Sequence, residues 1–203
     1  MAENIIKYGV FFIPPEEVVK YTASWKEKMC MAEQDVPYGH HPVHMTIFVC
    51  QARRQMENEI IGQFRLCCAG FAKMPLHISG WHVFDNDLLT SGDTLVISIE
   101  LTDALLAYQQ KLASAIAPYR ENKVNLPVVL KGAYKESYDL WGFPFVGKHW
   151  HPHISIASAR DSAKEVVNLA VAQQIPSFEL YLDNLSLYRI TDDRHTHLIT
   201  VAL

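Results

Sequence analysis

The sequence predicts an α+β protein with two similar halves, because helix and strand patterns recur in the same order along the chain. Each half reads as helix, motif strand, helix, strand and strand, over about residues 15–101 and 103–203. DTLVISIEL at 93–101 also aligns with HTHLITVAL at 195–203. We therefore expect a single duplicated, bilobed domain over residues 1–203, with two antiparallel-rich sheets facing a central cleft and helices on the outside.

A strand precedes the first half, which opens with a helix. An apolar run at 5–13 ends at Pro14 and Pro15, and Glu16 and Glu17 then supply the acids that favour a helix start. The other elements predicted in this half are a motif strand at 43–50, a helix at 53–69 and strands at 76–84 and 94–101.

The second half repeats this order with one long insertion. The predicted elements are a helix at 103–119, a motif strand at 152–157, a helix at 162–172 and strands at 178–190 and 196–203. The segment 120–150 lacks clear periodicity but is rich in aromatic residues, which argues against disorder. We expect it to fold over the site as a lid.

Composition and charge narrow the class of protein. The chain has 203 residues, of which 49% are hydrophobic and 20% charged, as suits one compact domain. Its net charge of -4 disfavours a large duplex nucleic-acid interface. The amino-terminal residues lack the pattern of a signal peptide, and no apolar run has membrane-spanning length. We therefore expect a cytoplasmic monomer without a membrane partner.

Two short motifs carry the chemistry. They are His44-x-Thr46, in HPVHMTIFV, and His153-x-Ser155, in HPHISIA. Side chains at i and i+2 of a strand share one face, so each histidine shares a face with its hydroxyl. A pseudo-two-fold axis would bring the motifs together around one small cavity. Hydroxyls that hold an anion and imidazoles that move protons predict acid–base chemistry on an anionic group.

These motifs and their setting resemble the two-histidine phosphoesterase superfamily, which includes 2′,3′-cyclic nucleotide phosphodiesterases and bacterial 2′-5′ RNA ligase-like proteins. HMTIF is similar to the family's first motif and WHPHISIA to its second, with Ser155 in place of threonine. The resemblance covers nearly the whole chain. It implies a metal-independent phosphodiesterase, without a cofactor, that acts on a 2′,3′-cyclic phosphate, a 2′-5′ linkage or a similar small nucleotide or RNA-end phosphodiester.

The resemblance also implies catalytic roles. His153 would activate water and His44 would protonate the leaving oxygen, although the pseudo-symmetry makes the opposite assignment chemically reasonable. Thr46 and Ser155 would donate hydrogen bonds to the non-bridging oxygens of the phosphoryl group.

Residues that flank the motifs are candidates for binding a small nucleotide or a single-stranded RNA end, by stacking on a base or by contacting phosphate. The candidate substrate-binding residues are Phe48, Trp150, His151, Tyr38, His41 and Lys148. Trp81, Tyr188 and Arg189 are further candidates, each of which more often has a structural role.

Two alternatives stay open. The histidines cluster at 40–44 and 149–153, so the protein could be a metal-dependent hydrolase or oxygenase that binds Zn²⁺ or Fe²⁺. Neither cluster contains a carboxylate, which such sites commonly recruit. The chain could also be a non-catalytic nucleotide- or RNA-binding module that kept its cleft.

Overall fold

The computed structural model describes residues 5–87, 89–121, 129–191 and 194–203. The elements in these residues are β1 (Ile5–Phe12), α1 (Glu16–Ala32), β2 (Met45–Arg53), α2 (Glu57–Cys68), β3 (Met74–Leu76), β4 (Ile78–Phe84), β5 (Asp93–Ile99), α3 (Asp103–Ile116), α4 (Gly132–Trp141), β6 (His153–Ala159), α5 (Lys164–Val171), β7 (Leu180–Leu182), β8 (Asn184–Thr191) and β9 (Arg194–Ala202). No helix in the described part of the chain is long and apolar enough to cross a membrane.

The predicted α+β class is confirmed, and most predicted elements lie within a few residues of their expected bounds. The predicted helix at 53–69 instead begins after a short 3₁₀ turn at Arg54–Met56, because β2 continues to Arg53. The predicted strand at 178–190 is divided into β7 and β8 at Asp183.

Seven of the described strands form one antiparallel sheet in the order β4-β5-β6-β2-β1-β8-β9, while β3 and β7 pair separately. The two motif strands, β2 and β6, are neighbours at its centre, and their contact is the single cross-strand pair Met45–Ile154. The two predicted sheets are therefore the two wings of one sheet, joined at this pair.

The sheet is pseudo-symmetric about that pair. Outward from the centre, β6, β5 and β4 on one side take the places of β2, β1 and β8 on the other. β5 thus occupies the place equivalent to β1. The alignment of 93–101 with 195–203 instead predicts that β5 is the equivalent of β9. In the sheet, β9 is an additional edge strand on one wing.

Both motif strands contain a β-bulge at the same place. Along β1 and β2 the register passes from Val10–Phe48 to Phe11–Thr46, so that Ile47 is the extra residue. Along β5 and β6 it passes from Leu95–Ala157 to Val96–Ser155, so that Ile156 is the extra residue. A bulge places two residues of one strand opposite one of the partner and interrupts side-chain alternation. The pseudo-symmetry therefore extends to backbone detail.

Helices cover one face of the central sheet. The buried residues of α1 follow helical spacing, and α1 packs against β6 while α3 packs against β2. Met45 and Ile154 are fully buried beneath these helices. The residues on either side of Met45 and of Ile154 point to the other face of the sheet. These residues, His44, Thr46, His153 and Ser155, are half-buried. The cleft thus lies on the sheet face opposite α1 and α3.

The long insertion contains a helix that the sequence analysis did not predict. The helix α4 begins at Gly132, and Gly142 ends it in a left-handed conformation with φ of 74°, which glycine adopts without strain. After it, the Phe143 ring packs against Phe48 at 5.9 Å. Residues 122–128 of the predicted lid lie outside the described residues, and its role as a lid stays a prediction.

Candidate functional site

The strand pairing brings the two motifs together. Because β2 and β6 are antiparallel and pair at Met45–Ile154, the register sets His44 opposite Ser155 and Thr46 opposite His153. Each imidazole therefore lies across from the hydroxyl of the other motif.

Continuation of the Met45–Ile154 register gives an expected spacing for the two histidines. Directly opposite residues have Cα atoms about 4.5–5.5 Å apart, and side chains offset by two residues lie roughly 7–8 Å apart. His44 and His153 are such an offset pair. This spacing suits two imidazoles on either side of one phosphoryl group, with a hydroxyl beside each.

Both imidazoles are oriented in the same way. Nδ1 of His44 lies 2.7 Å from the carbonyl oxygen of Pro42, and Nδ1 of His153 lies 2.6 Å from that of His151. A carbonyl only accepts hydrogen bonds, so each Nδ1 carries the proton and donates it. Nε2 is then the nitrogen available for proton transfer in both neutral rings.

Burial keeps both imidazoles neutral in the free protein. Loss of hydration lowers the pKa of His44 from 6.5 to about 3, with His195, Lys26 and His41 adding to the decrease. Loss of hydration likewise lowers the pKa of His153 from 6.5 to about 4. The hydrogen bond from each Nδ1 opposes these shifts, because it also stabilises the charged ring.

The first motif lies against an aromatic wall. The ring of Phe11 is 4.1 Å from that of His44, and Tyr188 lies behind Phe11 at 5.6 Å. His195 of the edge strand β9 is 5.8 Å from His44, and His41 is 5.6 Å from His195. This side therefore presents three imidazoles and two larger aromatic rings.

The second motif has a different wall. Phe84 lies 5.2 Å from the His153 ring, and the rings of His82 and His151 are 4.6 Å apart. Nε2 of His151 lies 2.7 Å from the hydroxyl oxygen of Ser98, which fixes this ring. Both His82 and Phe84 come from β4 and point to the same face of the sheet.

The structure places some of the predicted binding residues near the motifs. His41 and Tyr38 form a ring pair at 5.4 Å on the His44 side, and His151 lies on the His153 side. Lys148 is exposed in the connection before β6. Its contact with a substrate stays a prediction.

Two predicted stacking residues are core residues instead. Phe48 is 1% exposed and Trp150 is 5% exposed, so neither ring offers a face to a ligand. For Phe48 the reason is the bulge at Ile47, which interrupts the alternation that would have set Phe48 beside Thr46. Trp150 follows a turn closed by its N–H on the carbonyl of Gly147 and packs inward.

Trp81 and Arg189, two of the further candidates for substrate binding, form structural contacts. The indole N–H of Trp81 donates to the carbonyl of Gln173, and Arg189 forms an ion pair with Glu57 at 3.2 Å. Of this group, Tyr188 is the residue that the structure places beside the first motif.

Sequence reasoning missed four residues that line the site, namely Phe11, His82, Phe84 and His195. His82 and Phe84 alternate in WHVF, and this period-two pattern on a strand was a usable signal. His195 alternates with His197 in the same way. Phe11 carries no signal in a run of apolar residues, since only the sheet order brings it beside His44.

The histidine clusters also bear on metal binding. Within residues 5–87, 89–121, 129–191 and 194–203, no group of three His, Cys, Asp or Glu side chains is arranged to hold a metal ion. The metal-dependent alternative stays open, and chelation of the purified protein tests it.

Comparison with known proteins gives a family match over most of the chain. Residues 14–194 match the sequence model of the 2′-5′ RNA ligase superfamily. No curated protein matches the sequence significantly.

Solved structures share the fold at low sequence identity. The TT0787 protein of Thermus thermophilus is similar with a TM-score of 0.63 and 15% identity, covering 97% of both chains. LigT of E. coli in its apo form is similar with a TM-score of 0.57 and 13% identity, and LigT complexed with NADP+ with 0.59 and 16%; both cover 98% of each chain. At these identities the likeness shows the fold.

Proposed function

This chain belongs to the 2′-5′ RNA ligase superfamily, and we propose that it is a metal-independent phosphodiesterase acting on a small nucleotide or RNA end. The observation that carries the proposal is the pair of His-x-Thr/Ser motifs on adjacent strands, each with its imidazole oriented by Nδ1. Membership supports a phosphodiesterase or RNA-processing role, and the motif geometry supports the two-histidine chemistry.

The proposed reaction opens a cyclic phosphodiester with water. One neutral imidazole removes a proton from water at Nε2 while the water oxygen bonds to phosphorus. The bond between phosphorus and one ribose oxygen breaks, and the second imidazole, in its protonated form, gives that oxygen a proton. The hydroxyls of Thr46 and Ser155 donate to the non-bridging oxygens and stabilise their charge in the transition state.

The low pKa values of His44 and His153 fit this cycle. In the free protein both rings are neutral, which prepares a base at either position. A bound phosphodiester brings a negative charge between them, and a nearby negative charge raises the pKa of an imidazole. Substrate binding thus helps to load the proton that the acid needs.

A small nucleotide is the proposed substrate class. Phe84 and His82 on one side and Tyr188 on the other offer partly exposed rings for stacking on a base. Solved LigT structures contain 3′-AMP, ATP or NADP+, and this relative supports a nucleotide ligand here.

A substrate screen after chelation tests the proposal. Purified protein treated with EDTA is incubated with 2′,3′-cyclic mononucleotides, 2′-5′ dinucleotides and an ADP-ribose cyclic phosphate, with His44→Ala as the matched inactive control. We expect turnover of at least one compound by the wild type only.

Two results would support the alternatives instead. Activity that EDTA abolishes and Zn²⁺ restores would favour the metal-dependent hydrolase. Nucleotide binding without any turnover would favour the non-catalytic binding module.

A further inference from the structure

The two motif strands hold each other at a single point. Among the described residues, β2 and β6 pair only at Met45–Ile154, whereas the pairs β1–β2 and β5–β6 run along most of β1 and β5. One bridge leaves the angle between two strands free, whereas a ladder of several hydrogen-bonded pairs fixes it. The relative placement of the two motifs therefore depends on further contacts.

Backbone hydrogen bonds connect each motif strand to the segment that precedes the other motif. The N–H of Ser158, in β6, donates to the carbonyl of Pro37 at 3.0 Å, and the N–H of Glu121 donates to the carbonyl of Gln51, in β2, at 2.6 Å. Pro37 lies in the loop before the first motif, and Glu121 lies in the connection before the second. The contacts between the motifs are thus crossed.

The two preceding segments contain the same turn. The N–H of His41 donates to the carbonyl of Tyr38 at 3.1 Å, and the N–H of Trp150 donates to that of Gly147 at 2.9 Å. Tyr38 and Gly147 each stand six residues before a motif histidine, and both have a positive φ, of 66° and 109°. For Tyr38 this left-handed conformation is strained and persists where its surroundings hold it. We call these two turns the approach turns.

Each approach turn leads directly to the carbonyl that orients an imidazole. One residue after the first turn, the carbonyl of Pro42 accepts from Nδ1 of His44. One residue after the second turn, the carbonyl of His151 accepts from Nδ1 of His153. Because the acceptor carbonyl follows the turn at once, a displaced turn displaces the acceptor. The position of each approach turn therefore sets the direction of Nε2.

A buried side chain from a helix holds each approach turn. Lys26 of α1 is 6% exposed, and Gln109 of α3 is fully buried. Nζ of Lys26 donates to the carbonyl of Tyr38 at 2.7 Å. Oε1 of Gln109 accepts from the N–H of Gly147 at 3.1 Å, and its Nε2 donates to the carbonyl of Phe145 at 2.8 Å. These two side chains are the braces of the approach turns.

The same two braces reach the β-bulge of the opposite motif strand. A bulge leaves backbone groups without their ladder partners, and buried carbonyls need a donor. The carbonyl of Ile156 accepts from Lys26 at 2.7 Å, and the carbonyl of Ile47 accepts from Gln109 at 3.2 Å. Lys26 thus joins the first approach turn to the second motif strand. Gln109 joins the second approach turn to the first motif strand.

We propose that Lys26 and Gln109 are positioning residues that cross-brace the two motifs and so aim both imidazoles at one phosphoryl group. This inference rests on the two-histidine function proposed above. Both braces come from the helices on the sheet face opposite the cleft, so they act through the backbone of the motifs and not by touching a substrate.

Imidazole NMR of the free, full-length protein at pH 7 tests the positioning without any substrate. In the wild type, nitrogen chemical shifts should show both His44 and His153 with the proton on Nδ1. Lys26→Met and Gln109→Met remove the polar group and keep most of the side-chain length. Each variant should show a mixture of Nδ1–H and Nε2–H forms at both rings, because each brace contacts both motifs.

The number of rings that change decides the proposal. Unchanged signals of both rings in a folded variant would overturn it. A change at one ring only would reduce each brace to the support of its own turn and would overturn the cross-bracing. Spectra of His44→Gln and His153→Gln assign the two signals.

Matched variants separate positioning from a general loss of stability. Lys20→Met and Gln110→Met make the same changes at exposed positions of α1 and α3 and should leave both rings unchanged. Leu112→Val weakens the core packing of α3 and should lower the melting temperature without altering either ring. If the methionine variants do not fold, the shorter amides of Lys26→Gln and Gln109→Asn replace them and should change both rings in the same direction.

Kinetics on the phosphodiester that the screen identifies test the effect on the reaction. Each methionine variant should lower kcat by roughly 10- to 100-fold and keep KM within about twofold, because small misplacement of a catalytic group is costly and the braces do not touch the substrate. Leu112→Val should keep the kcat of the wild type. A raised KM with unchanged kcat would show that the braces shape substrate binding and would overturn the proposal. If the wild type turns over no phosphodiester, the two-histidine function fails, whereas the imidazole spectra still decide whether the braces position the two rings.

Discussion

Each motif histidine has two further imidazoles around it, but the nearby charged group is the Lys26 ammonium for His44 and the Asp87 carboxylate for His153. Their backbones are nevertheless alike: each motif precedes a bulge, and each histidine donates Nδ1–H to a carbonyl two residues before it. The halves of the site thus agree in geometry and differ in charge.

A pseudo-symmetric site of this kind can perform an asymmetric reaction. A base and an acid need the same placement on two sides of phosphorus but opposite protonation states. Shared strand geometry supplies the placement. Lys26 lowers the pKa of His44 and Asp87 raises that of His153, in addition to burial, which is the larger cause at both rings.

Removing either imidazole should have the largest effect. Both His44→Ala and His153→Ala should reduce kcat by roughly 10²–10⁴-fold, because each removes one proton transfer. The double variant should be little worse than either single variant, since residues that act as a unit are not additive. Turnover assays on the substrate identified by the screen measure this. Near-wild-type turnover in both single variants would contradict the two-histidine mechanism.

Removing a hydroxyl should cost less. Thr46→Val and Ser155→Ala each delete one hydrogen bond to a charged phosphoryl oxygen, which is worth about 1.5–3 kcal/mol, or roughly 10- to 100-fold in kcat/KM. Similar losses of kcat/KM in both variants would show that the two hydroxyls contribute equally to holding the phosphoryl group. Loss confined to one variant would show that one motif alone holds the phosphoryl oxygens.

Substitution of the aromatic wall on the His153 side should change substrate binding. Phe84→Leu should raise KM by about tenfold with little change in kcat, because stacking on a base is worth about 1–3 kcal/mol. Phe48→Leu is the matched control: it should lower stability by about 1 kcal/mol and leave KM unchanged, since this ring lies in the core. An increase in KM for Phe48→Leu alone would show that Phe48, and not Phe84, contacts the substrate.

Acid should destabilise the fold through the same two imidazoles. Their folded pKa values, about 3 and about 4, lie below the ordinary 6.5, so below pH 6.5 the unfolded chain binds protons that the folded chain does not. Stability should therefore fall as the pH drops from 6.5, by up to about 1.4 kcal/mol per pH unit for each histidine. Urea unfolding of wild type and the His44→Gln, His153→Gln double variant at pH 7 and 5 measures this. An equal pH dependence in both proteins would show that these pKa values are not depressed.

The sequence was sufficient for the fold class and for the placement of the four motif residues in the motif strands or directly before them, because strand periodicity is a local signal. The catalytic roles of these four residues stay predictions. The sequence was misleading for Phe48, because a bulge changes the facing of later residues and leaves no mark in the hydrophobic pattern. Lys26 had a signal, since it is a charged residue on the buried face of α1 with Thr22 and Met29. Its partners could not be predicted, because the carbonyls of Tyr38 and Ile156 meet it only in the folded sheet.

A crystal structure of the protein soaked with inorganic phosphate tests whether the two motifs form one site. We expect one phosphate held by both motifs, with oxygens about 2.7–3.2 Å from Nε2 of His44 and of His153 and from the hydroxyls of Thr46 and Ser155. A phosphate bound by one motif alone, or imidazoles too far apart to contact the same phosphate, would contradict this expectation.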